Sequence, residues 1–292
     1  MNDIVARATA LDGKVRLFAA RTTKLVEEIR RRHDLLPTAA AAVGRTATAA
    51  AIMGAMLKGD EKLTVQVKGG GPIGQIVADA NANGDVRAYA ENPHADLPLN
   101  SAGKMDVAGV VGTEGFLYVV KDLGMREPYR GSVPIVSGEI AEDFTYYFAK
   151  SEQIPSAVSL GVLVDTDYSI KAAGGLVLQL LPGVPEDAVD ELERRLYSVP
   201  PVTAMLERGL TPEEMMRELA DDISVVSEST LRFQCFCSRE RVEQTLAALG
   251  KDEIDAMIEE MGEAEVVCHF CNEKYVFAKR ELQTLRDRLN DA

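Results

Sequence analysis

Four cysteines, the only ones in 292 residues, fall in two tight pairs: Cys235-Phe236-Cys237 and Cys268-His269-Phe270-Cys271. Thirty residues, 238–267, lie between the pairs. Two thiolate clips match the tetrahedral, sulfur-rich shell of a closed structural Zn²⁺ site. Four unrelated cysteines would not be expected to pair off without a stray, because a free cysteine is ordinarily just a small buried hydrophobe. The CxC clip is the unusual half, since zinc ribbons and fingers commonly offer CxxC-type clips. A single intervening residue also leaves two thiols near enough to oxidise to each other in a strained ring, and strained disulfides are the labile, regulatory kind. Spacing alone therefore admits both a purely structural zinc site and a redox-sensing one. Zn²⁺ on Cys235, Cys237, Cys268 and Cys271 is common to the two.

Little else in the chain has the spacing of a reactive site. The three histidines, His33, His94 and His269, are far apart, and no HExxH, GxSxG or Walker-type loop occurs. His269 sits inside the CxxC clip, but four sulfurs already close a tetrahedral shell. Gly69-Gly70-Gly71-Pro72-Ile73-Gly74 follows a strand pattern, as a phosphate cradle would. No Lys-Ser/Thr comes after it and the next stretch reads as a strand, so a tight hairpin turn is the better reading. No motif singles out a carboxylate, and the chain is not expected to be an enzyme.

Composition narrows the class further. A hydrophobic content of 46% and a charged content of 27% suit a folded globular protein of one large or two modest domains. No segment has eighteen uninterrupted apolar residues, and Met1-Asn2-Asp3-Ile4-Val5 is not a basic region leading into an apolar stretch. No membrane span and no secretory signal are expected. The expected location is the cytosol, where thiols stay reduced and a cysteine cluster reads as metal-binding or redox chemistry. The net charge of −14 disfavours general nucleic-acid binding. That charge is uneven: residues 181–230 alone carry 12 acidic and 4 basic side chains.

The elements that would carry the cysteines follow from periodicity. Leu25, Val26 and Ile29 share one face of a helix over 22–34, whose Arg30-Arg31-Arg32 reads as a solvated C-terminus favoured by the helix dipole. Pro37 opens an alanine- and glycine-rich helix to about Lys58, expected to be a central packing element. Strands are predicted at 63–68, 73–80, 85–91, 115–121, 129–136, 157–165 and 170–181, with a helix near 140–151. Pro182-Gly183-Val184-Pro185 ends this part. Short helices then follow at 186–197, 202–208 and 211–219, the last opened by the capping box Thr211-Pro212-Glu213-Glu214. They are too short and too acidic to stand alone and must lean on a neighbour. Ser238 should cap a helix over 239–249, with another at 252–261, a hairpin carrying the second clip, and a final amphipathic helix through Leu282, Leu285 and Leu289. The fold class is α+β. A terminal segment of some sixty residues needs the metal as its staple.

Taken together these residues resemble one family. Cys235-Phe-Cys-Ser-Arg-Glu-Arg-Val242 and Cys268-His-Phe-Cys-Asn-Glu-Lys-Tyr275 are similar to the redox-switch domain of the heat-shock protein 33 family, cytosolic holdase chaperones. The resemblance spans the chain, through Gln66-Val-Lys-Gly-Gly-Gly-Pro72, Ala78-Asp-Ala-Asn81, Val120-Lys-Asp-Leu-Gly124, Ser137-Gly-Glu-Ile140, Ser151-Glu-Gln-Ile-Pro155 and Ala173-Gly-Gly175. It implies an α+β domain over 1–181, a switchable acidic helical linker over 182–230, and a zinc domain over 231–292. It also implies Zn²⁺ on all four cysteines in a reduced, inactive protein. Oxidation would form Cys235–Cys237 and Cys268–Cys271 disulfides, expel zinc and unfold the C-terminal part. Unfolding client proteins would then be held without ATP, with an oxidised homodimer as the active form. Two other functions share the motif: a zinc-ribbon module for nucleic acid or a translation partner, against which the acidity counts, and a thiol oxidoreductase, which would keep a low-pKa exposed CxxC and no metal.

Overall fold

The computed structural model describes residues 2–290 and confirms an α+β chain. It divides into two compact units, one ending at Gln234 and the other beginning at Cys235. The first unit opens with β1 (Ile4–Ala10), β2 (Val15–Arg21), α1 (Thr23–His33) and α2 (Pro37–Gly54). β3 (Lys62–Lys68), β4 (Gln75–Asn81) and β5 (Asp85–Ala90) form the expected meander. α3 (Val107–Val111), β6 (Phe116–Asp122), β7 (Tyr129–Pro134), α4 (Ala141–Lys150), β8 (Ser156–Val164) and β9 (Ile170–Leu180) follow. The acidic stretch supplies α5 (Glu186–Ser198), α6 (Val202–Glu207), α7 (Pro212–Arg217), β10 (Ser224–Thr230) and the two-residue β11 (Arg232–Phe233). The second unit holds α8 (Arg239–Leu249), α9 (Lys251–Glu260), β12 (Glu263–Val267), β13 (Lys274–Ala278) and α10 (Lys279–Asn290).

Two sheets build the first unit, in the orders β10-β1-β2-β9-β8 and β11-β5-β4-β3-β6-β7. All pairings are antiparallel except the short parallel contact of β11 with β5. α2 runs between the sheets, and nearly every one of its residues is buried. Its alanines and glycines are what permit this: bulky side chains would hold the sheets apart. At Gly44 an added Cβ would come within 2.6 Å of Val26 Cγ1 and 2.9 Å of Val162 Cγ2. Gly44→Ala should therefore lose about 1–2 kcal/mol net, overpacking outweighing the gain in helix propensity. The check is the denaturant midpoint of the purified variant, which should fall at unchanged slope. α2 ends at Gly54 rather than near Lys58, where Leu57-Lys58-Gly59 turns back toward β3.

The glycine-rich loop between β3 and β4 is a turn, as its sequence suggests. It does not open a concavity. A Cβ on Gly69 or Gly71 would run into the carbonyls of Val110 and Val111 on α3, and Gly71 and Ile73 donate to those same carbonyls. β4 consequently starts at Gln75, two residues after Ile73, because Gly74 (φ +72°) belongs to the turn.

The outer face of the first sheet carries a second core. Ala6, Ala8, Val15, Leu17, Ala19, Leu176 and Leu178 point outward, while Val5, Phe18, Ala20 and Val177 point toward α1 and α2, as strand alternation demands. Leu192, Val202, Met205, Met215, Met216 and Leu219 of the α5–α7 stretch cover that outer face. The neighbour these helices lean on is thus a β-sheet. Lys171 Nζ on β9 pairs with Glu207 at 2.7 Å, and Arg195 bridges Glu191 (2.9 Å) and Asp221 (2.6 Å). The Thr211–Glu214 capping box forms as read, Thr211 N donating at 2.7 Å and Glu214 N at 3.2 Å.

Among the described residues, no helix is long and apolar enough to cross a membrane.

Candidate metal centre

The second unit has a small core: Val242 and Leu246 of α8, Ile254 and Ile258 of α9, Ala264, Phe277, Leu282 and Leu285. Around it, the stretch before α8 and the β12–β13 turn deliver the cysteines. Cys235-Phe236-Cys237 runs directly into α8, whose first turn is capped by Ser238 accepting from Arg241 N at 3.3 Å. The Arg241 guanidinium donates to the Phe236 carbonyl at 2.7 Å, fastening the helix start to the middle of the CxC clip. Cys268 and Cys271 lie on the β12–β13 turn. There Asn272 N donates to the Cys268 carbonyl (2.8 Å) and Cys268 N to the Glu273 carbonyl (2.9 Å). Asn272 takes the left-handed conformation (φ +59°) that closes this turn, which asparagine tolerates better than most residues.

The four sulfurs converge. Their Sγ atoms all lie within 4.8 Å of one another, with Cys235–Cys237 at 3.4 Å, Cys235–Cys268 at 3.7 Å and Cys237–Cys271 at 3.3 Å. None of the four is in a disulfide. A tetrahedral shell with metal–sulfur bonds of about 2.3 Å has edges of about 3.8 Å, so these separations fit four thiolates sharing one ion. The donor set fits as well, being all sulfur and drawn from two clips. His269 is exposed and lies outside the group of metal-competent side chains.

Electrostatics make the same point from the other side. Burial pushes the Cys271 thiol well above its ordinary range and raises Cys237 too. Left without a cation, such sulfurs stay protonated at neutral pH, whereas a bound metal takes them as thiolates outright.

One residue near the sulfurs was not singled out by the cysteine spacing. Tyr275 Oη donates to Cys237 Sγ at 3.2 Å, and that bond is the first cause of the upward shift of the phenol. The available signal was β13's alternation, which turns Tyr275 inward on the same side as Phe277.

Comparison with known proteins agrees with this architecture. The family model described as Hsp33 protein matches residues 3–278. The 33 kDa chaperonin of Bacillus subtilis strain 168 is 55% identical, over 98% of this chain and 99% of its own. That of Brevibacillus brevis is 56% identical over 98% and 99%. The crystal structure of the 33 kDa chaperonin (heat shock protein 33 homolog) of Thermotoga maritima superposes with a TM-score of 0.94, at 38% identity, covering all of both chains.

Proposed function

Because this chain belongs to the Hsp33 family, we propose that it is a redox-regulated, ATP-independent holdase chaperone, inactive while reduced and switched on by oxidation. The observation that carries the reading is the convergence of four unbridged thiols in a unit whose core is only a handful of side chains. On this reading Cys235, Cys237, Cys268 and Cys271 hold one Zn²⁺. The bound ion supplies no catalysis; it neutralises four thiolates and staples the small unit.

The rest of the mechanism belongs to the chain's own residues. Peroxide-class oxidants take electron pairs from the thiolates, closing Cys235–Cys237 and Cys268–Cys271 and ending their capacity to ligate. The unit from Cys235 onward then keeps only its minimal core and loosens. Within the acidic segment over 182–230, the α5–α7 stretch follows, lifting Met205, Met215, Met216 and Leu219 from the sheet it covers. Both faces so uncovered are aliphatic, and the helix side is methionine-rich, which suits clients of varied shape. The negative charge of the segment keeps a loaded complex soluble. The clients are unfolding proteins in the cytosol, the oxidised form works as a homodimer, and neither nucleic acid nor a membrane is a partner. The relatives are named chaperonins, and no catalytic activity is assigned to this chain.

Reduced protein should contain one Zn²⁺ per chain and four titratable thiols. Peroxide should remove both, and only the oxidised sample should suppress aggregation of a heat-denatured client. Metal content well below one in the reduced state, or equal protection by both samples, would overturn the reading.

A further inference from the structure

The four sulfurs are not equivalent, and the difference runs the same way in each clip. In the CxxC clip, Cys271 is buried, at 5% exposure, while Cys268 is partly open. In the CxC clip both cysteines are partly open, but only Cys237 accepts a hydrogen bond from Tyr275, at 3.2 Å. Cys237 lies 3.4 Å from Cys235 and 3.3 Å from Cys271, and Cys235 also lies 3.7 Å from Cys268. One sulfur of each clip is thus marked out, Cys271 by burial and Cys237 by the phenol that β13 holds against it.

We propose that Tyr275 is a positioning residue that grades the redox switch: its hydroxyl restrains Cys237 and so sets how fast the Cys235–Cys237 disulfide closes. This rests on the proposed thiol switch and specifies its kinetics. The chemistry takes two displacements. The Cys235 thiolate attacks a peroxide oxygen, the O–O bond breaks, hydroxide leaves and Cys235 becomes a sulfenic acid. The Cys237 thiolate then attacks the Cys235 sulfur, forming the S–S bond and expelling a second hydroxide. Two electrons pass from the sulfur pair to the peroxide, and two protons turn the hydroxides into water. A hydrogen bond donated into Cys237 ties up the electron density this second step uses, as outer-shell donors do at thiolate sites generally. The first step, at Cys235, has no such restraint from Tyr275.

The test is Tyr275→Phe, which keeps the ring against the small core and removes only the donor. Reduced wild type and variant are treated with hydrogen peroxide, quenched with an alkylating agent, and each cysteine pair is followed by mass spectrometry. Closing of Cys235–Cys237 should be about three- to tenfold faster in the variant, the span that one net hydrogen bond commands. Closing of Cys268–Cys271 should be unchanged, which a variant that merely loosened the unit would not achieve. Reduced, Co²⁺-loaded protein gives a second readout, in which the sulfur-to-metal charge-transfer band should move to lower energy without the donor. Equal acceleration of both pairs, or none, overturns the proposal. So does a variant that takes up less than one Co²⁺, because the hydroxyl would then be holding the shell together. If wild type itself forms no disulfide and keeps its metal, the thiol switch fails and this inference with it. A wild type that switches normally beside an unaltered variant sinks the inference alone.

Discussion

Cys268→Ser should leave the C-terminal unit loose in fully reducing buffer, with no oxidant added. Structural zinc sites in small thiolate peptides contribute about 10–16 kcal/mol of apparent folding free energy at neutral pH. A core of sixty residues or so rarely supplies more than about 3–5 kcal/mol by itself. Among the described residues that core is eight buried side chains, two of them on a two-stranded hairpin that would be marginal alone. Removing one thiolate opens the shell and leaves Cys271 as a buried sulfur with no charge to balance. Limited proteolysis of the reduced variant should cut on the C-terminal side of Gln234 at least tenfold faster than in wild type, while the sheets of the first unit stay protected. Protection equal to wild type would mean that the hairpin and α8–α10 hold themselves together without the metal.

Pinning the acidic helices should abolish chaperone activity while leaving the thiol chemistry intact. A Cβ built on Gly161 of β8 lies 3.6 Å from the Val202 Cβ of α6, within the span a disulfide bridges. Gly161→Cys with Val202→Cys, and Thr203→Ser to clear a methyl 2.8 Å from the new Cβ, ties α6 to the sheet it covers. Peroxide should still strip the metal from the native cysteines, yet aggregation of a heat-denatured client should proceed almost as if no chaperone were present. Gly161→Ala and Val202→Ala with Thr203→Ser, which cannot close the tether, should restore protection. Full protection with the tether closed would place the client-binding surface away from the face formed by Met205, Met215 and Met216. The segment would then be a passive connector.

What could be read from the sequence follows how local each signal is. The clips were legible because metal ligation demands specific residues at short range, and the structure brings all four together. α8 was legible from Ser238 and Gly250 at its two ends, and the alternating strands β3–β6 from one open face of their sheet. The Arg30–Arg32 run behaves as a helix end: Arg30, Arg31 and Arg32 pair with Glu27 and Glu28, and Arg32 also stacks 4.5 Å over the Phe233 ring. β1 and β2 escaped notice for a physical reason. Their sheet is covered on both sides, so Ile4–Ala10 and Val15–Arg21 mix alanine and arginine with little contrast between faces. α3, five residues long, has no period to detect. β10 is exposed along nearly all its length, Val225 and Val226 included, so it shows no alternation of faces, and pairing with β1 makes it a strand. The role of Tyr275 depends on a contact across 38 residues, invisible to any window.

The pairing of β1 with β10 also bears on how this chain is made. Ile4 lies opposite Thr230, and β2 lies against β9, more than 150 residues further on. The first strands to leave a ribosome therefore wait for nearly the last part of the first unit before their sheet can close. At about 5–20 residues per second, roughly 10–50 s pass between the emergence of β1 and that of β10. Until α5–α7 follow, Ala6, Ala8, Val15 and Leu17 lack the cover of the outer face, and β1 lacks its edge partner until β10 arrives. While it is being synthesised, the nascent chain exposes the same kind of aliphatic surface that the finished protein is proposed to shelter in others, and closing this high-contact-order sheet should be the slow step of its own folding.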